Sequence, residues 1–136
     1  MFFIGQSMDN VSDIKLKYRI IRKPEKQSNN IFEYAASLSI THKNELFLQV
    51  EDICIVDFIY KLGLYNSHMN IFEFVPIDSA DKVLVFNSID SNNVEIKSDW
   101  TTKTIIAKKE DLINSIVLLK KHFEEETKAK IEKYYR

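Results

Sequence analysis

The residues of this chain best suited to chemistry are acids, and six of them fall in one stretch: Glu73, Asp78, Asp81, Asp90, Glu95 and Asp99. Carboxylates gathered on strands and turns can bind a divalent cation, act as general acid and base, or meet a basic surface of another macromolecule. A calcium loop needs an alternating D-x-D-x-D-G series, which is absent, and aspartate also favours turns for conformational reasons alone. Trp100, the single tryptophan, follows Asp99 at an expected hairpin tip or strand edge. Tryptophan is enriched among the anchors of protein interfaces. Glu73, Asp78, Asp81, Asp90, Glu95, Asp99 and Trp100 therefore form the candidate partner-binding surface. The plainer alternatives are a solvated rim of turns for the acids and packing beneath the C-terminal helix for the indole.

Other chemistries find little support. With Gly5 and Gly63 as the only glycines, the chain has no phosphate-binding loop, no dinucleotide fingerprint and no serine-hydrolase elbow, all of which need closely spaced glycines. His42, His68 and His122 have no second ligand at zinc-like spacing. Cys54 lies in an apolar segment and reads as a packing residue. No catalytic residue, cofactor or metal is expected. An enzyme would have to assemble its site from carboxylates and histidines distant in sequence.

The 136 residues suffice for one domain, 1–136, that buries roughly two-thirds of its unfolded surface. An apolar fraction of 45% with 29% charged residues belongs to a folded domain. One cysteine gives no disulfide framework, the first residues lack the basic and apolar regions of a signal peptide, and no apolar run approaches a membrane span. A soluble, cytoplasmic protein without membrane contact is the expectation. The net charge of -1 hides an asymmetry: residues 51–100 carry nine acids against three Lys or Arg. This argues against a nucleic-acid binder, which needs a dominant basic face, and leaves a protein as the expected partner. The oligomeric state is left open.

The elements that must position these groups follow from periodicity. Ile14, Leu16, Tyr18 and Ile20 alternate with Lys15, Lys17 and Arg19, the pattern of a strand with one buried face. After a polar loop the alternation resumes from Phe32 to Ile40, and a turn at residues 41–44 leads to a third strand through Leu46, Leu48 and Val50. Glu51 and Asp52 suit a helix N-terminus and Gly63 a helix end, with Asp57 and Lys61 spaced i,i+4 on one narrow polar stripe between them. Strands are expected at 71–75 and 83–86, and a hairpin at 94–107 follows a tight turn whose asparagines tolerate positive φ. Leu112, Ile116, Leu119 and Phe123 then mark the buried face of a long helix beginning near Glu110. Its end, about 124–136, carries i,i+4 pairs and is expected to project as a solvated rod with Ile131, Tyr134 and Tyr135 as late apolar groups. The whole reads as an α+β domain: a mostly antiparallel sheet of about seven strands with one internal helix and a long C-terminal helix.

The order of these elements, the run Val94-Glu95-Ile96-Lys97-Ser98-Asp99-Trp100 and the run Lys109-Glu110-Asp111-Leu112-Ile113-Asn114-Ser115-Ile116 resemble small bacterial toxin-immunity proteins. The resemblance covers mainly residues 71–123. It implies a compact, non-enzymatic α+β domain that binds a cognate toxin in the cytoplasm and occludes its active site, and it assigns no functional residue. Two other readings remain open. One is the small enzyme with a dispersed carboxylate and histidine site. The other is a structural or regulatory subunit docking through Ile131, Tyr134 and Tyr135.

Overall fold

The computed structural model describes residues 13–24, 34–77 and 79–135. It is an α+β domain whose seven strands form two antiparallel sheets, a three-stranded sheet β1-β2-β3 and a four-stranded sheet β4-β5-β6-β7. In the first sheet β1 (Ile14–Arg22) pairs with β2 (Ala35–His42), which pairs with β3 (Glu45–Cys54). The expected beginning of the second strand, at Phe32, lies outside the described residues. Leu16, Tyr18 and Ile20 stand opposite Ile40, Leu38 and Ala36 on the core side, as the alternation requires. The β2–β3 turn places Lys43 and Asn44 at φ 52° and 68°, the left-handed conformation that two-residue hairpin loops demand.

β3 is longer than the charge pattern predicts. Glu51 and Asp52 lie in the strand and not at a helix N-terminus, because Ile53 and Cys54 continue the ladder opposite Ala36 and Ala35. Pairing the backbone and burying Ile53 outweighs the few tenths of a kcal/mol that an acid contributes in a helix first turn, about 0.3–1. α1 is accordingly shorter, Ile55–Leu62, and Gly63 closes it by donating its N–H to the Ile59 carbonyl at 3.0 Å. Asp57 and Lys61, spaced i,i+4, form an ion pair at 3.3 Å in which Asp57 is only 1% exposed.

The second sheet joins β4 (Ile71–Phe74), β5 (Leu84–Ser88), β6 (Asn93–Ser98) and β7 (Thr101–Lys108). Phe74, Leu84, Phe86, Val94, Ile96 and Ala107 point into the core. On the opposite face Ile71 and Ile106 are each 56% exposed, so the apolar surplus of these strands belongs to an open face. The sheets meet where the Lys103 ammonium donates to the Leu46 carbonyl at 2.8 Å. One buried cluster spans both sheets and both helices.

α2 (Lys109–Thr127) lies along the outer edge of β1. The Ser115 hydroxyl donates to the Ile14 carbonyl at 2.6 Å and the Tyr18 hydroxyl to Glu126 Oε1 at 2.5 Å. Leu112, Ile116, Leu119 and Phe123 are buried, and Phe123 is met edge-on by Tyr18 and Tyr34. The helix does not continue as a rod. It ends at Lys128, φ 58°, and the chain folds back into a 3-10 turn, Ile131–Tyr135, against α1. Ile131 is 1% exposed, Tyr135 stacks on Tyr60 at 3.7 Å, and Glu132 pairs with Lys120 at 2.6 Å. Two of the expected i,i+4 pairs, Glu124 with Lys128 and Glu126 with Lys130, are replaced: Glu124 reaches Lys130 and Glu126 accepts from Tyr18, while the third, Glu132 with Arg136, lies outside the described residues. Such pairs are worth about 0.2–0.5 kcal/mol each, whereas burying an isoleucine side chain is worth about 1.5–3 kcal/mol, so burial decides. Among the described residues no helix is long and apolar enough to cross a membrane.

Candidate partner-binding site

Four of the seven candidate residues come together at one corner of the second sheet. β6 and β7 are joined through Asp99 and Trp100, with Ser98 opposite Thr101 and the Trp100 N–H donating to the Ser98 hydroxyl at 3.0 Å. The loop before β5 is tied to this turn twice: the Lys82 N–H donates to Asp99 Oδ2 at 2.7 Å, and the Asp99 N–H to the Lys82 carbonyl at 2.9 Å. Asp81 is thereby placed beside the indole, whose Nε1–H donates to Asp81 Oδ2 at 2.8 Å. The Lys82 ammonium crosses to Glu73 at 2.9 Å. Its pKa is raised first by that bond to Glu73 and further by the charge of Asp99.

Trp100 does not pack beneath α2. It is 44% exposed and forms part of the wall of a cleft of about 220 Å³, with Tyr34 and Arg22 from the first sheet's strand ends and Pro76 and Ser79 from the loop after β4. Cys54, the last residue of β3 and not a residue of the helix, is half-buried in the same wall beside Asp52. An indole fixed by a hydrogen bond at the rim of a cleft, with two carboxylates beside it, can insert into a partner while losing little conformational freedom. The arrangement suits recognition of a surface that offers both an apolar pocket and basic groups.

The other candidates stand elsewhere. Asp90 shapes the β5–β6 turn: its carboxylate accepts from the N–H groups of Asn92 and Asn93 at 2.8 and 2.9 Å and from the Asn93 side chain. These bonds, the Asn92 N–H foremost, hold its pKa below the ordinary value. The turn therefore rests on the Asp90 side chain, and its asparagines have ordinary negative φ. Glu95 lies mid-strand on the open face, beside Asn87 and Lys97. Asp78 lies outside the described residues. Lys82, Arg22 and Tyr34 were not singled out from sequence, because only the docking of loops and sheets brings them to Trp100.

Among the described residues no three His, Cys, Asp or Glu side chains are grouped to hold a metal ion. His42, His68 and His122 stand on β2, on the loop after α1 and on α2. Of the candidate docking stripe Ile131, Tyr134 and Tyr135, Ile131 and Tyr135 face the chain's own α1 and Tyr134 is half-buried against the core. The family model of a domain of unknown function, DUF7878, matches residues 13–133, which reach from β1 into the C-terminal turn. No curated protein and no solved structure matches the chain.

Proposed function

The chain belongs to the DUF7878 family, whose function is unknown, and from that premise we propose that it is a non-enzymatic binding protein whose contact with a protein partner is anchored on Trp100. The observation that carries this reading is the half-exposed indole held at the cleft rim by Asp81. Exposed tryptophans fixed in this way are the residues on which binding free energy concentrates. Asp81 and Asp99 supply orientation toward a basic patch on the partner. With the resemblance of residues 71–123 to toxin-immunity proteins, the partner is a cognate bacterial toxin, met in the cytoplasm and inhibited by occlusion of its active site.

The test is coexpression with the neighbouring reading frame, purification of the complex and measurement of its dissociation constant. Trp100→Ala is expected to weaken binding by about 2 kcal/mol, or about thirtyfold. Asp99→Arg is expected to slow association, with a loss that shrinks as salt is added. Affinity unchanged in Trp100→Ala would remove this surface from the interface.

A further inference from the structure

The nine residues of β1, Ile-Lys-Leu-Lys-Tyr-Arg-Ile-Ile-Arg, include four cations and no carboxylate. Three of the cations, Lys15, Lys17 and Arg19, alternate with the core-facing side chains and so share the outer face of the first sheet. Each stands opposite a hydroxyl on β2: Thr41, Ser39 and Ser37. Gln49 on β3 continues the middle row.

None of the three cations has an ion-pair or hydrogen-bond partner among the described residues. Lys61, Lys82, Lys97, Lys120 and Lys130 by contrast each reach a carboxylate. Glu51, further along β3, is engaged by the Gln49 amide at 2.8 Å. The pleat spaces the cations about 6.8 Å apart, and an extended peptide spaces its own alternate side chains by the same step.

We propose that this face docks an extended acidic segment of a protein partner, its alternate carboxylates received by Lys15, Lys17 and Arg19 and by the half-buried hydroxyls of Ser39 and Thr41, Ser37 being buried. α2 occupies the edge of β1, so the segment lies across the face and does not extend the sheet. No aromatic ring stands among these positions to stack a base. Lys15, Lys17 and Arg19 are not among the residues lining the Trp100 cleft, and the proposal does not depend on the role of Trp100.

The experiment uses the full chain and a labelled peptide alternating glutamate and serine, followed by fluorescence anisotropy at several salt concentrations. Saturable, salt-sensitive binding is expected. Lys17→Gln with Arg19→Gln should weaken it at least about tenfold, whereas Lys121→Gln with Lys128→Gln, which removes the same charge from α2 and its end, should leave it unchanged. Equal losses in the two double variants would reduce the effect to net charge and overturn the proposal. So would absence of binding at low salt, or tighter binding of a single-stranded oligothymidylate, which would assign the face to nucleic acid.

Discussion

At Trp100 the decisive contact is one hydrogen bond. Asp81 fixes the indole before any partner arrives, so Asp81→Ala should cost affinity through lost preorganisation, about 1 kcal/mol or fivefold, without changing thermal stability measurably. Titration of the purified pair with each variant checks this, and equal affinities would show that the bond does not preorganise the anchor. Asp90 offers a pH test. Its folded pKa lies below the ordinary value, so its contribution is present above the usual carboxylate range, about pH 3.9, and is lost as pH falls through the folded value. Asp90→Asn should melt lower than the parent near neutrality, and the two melting curves should converge in acid. Trp100 and Asp99 were legible as a candidate pair because they adjoin in sequence. The Asp81–indole bond and the Glu73–Lys82 bridge were not, because they depend on how a loop is laid against a hairpin.

Among the elements, periodicity located the strands and the buried face of α2 because each pattern reports a single face. It failed at the two boundaries where a tertiary contact overrides local preference. β3 runs on through Glu51 and Asp52 because Ile53 and Cys54 find partners on β2, and α2 stops early because Ile131 finds a buried place against α1. Ile131→Ala should accordingly destabilise the protein by about 2–3 kcal/mol, measured by urea denaturation. A loss below about 0.5 kcal/mol, the size expected on an exposed surface, would argue for the projecting rod. The β2–β3 turn makes the opposite prediction. Lys43 holds φ 52° at the expense of a side-chain clash. Lys43→Gly should therefore raise stability by about 0.5 kcal/mol after the extra chain entropy of glycine is subtracted.

For the molecule as a whole, seven strands and two helices were legible, but the division of the strands between two sheets was not. No break in composition marks it, since α1 and the loop that follows are as apolar as the strands they separate. The shared core predicts cooperative behaviour: far- and near-ultraviolet melting curves should coincide in a single transition. Two separated transitions would show that the sheets fold independently. The position of the single tryptophan adds a practical consequence. All indole emission comes from one half-exposed ring at a hairpin tip, while Tyr18 and Tyr34 pack against Phe123 of α2 and Tyr135 against Tyr60 of α1. The native chain thus carries an unlabelled optical gauge of its own surface: docking at this corner would shift the emission to shorter wavelengths, and occupation of the β1 face alone would leave it where it is.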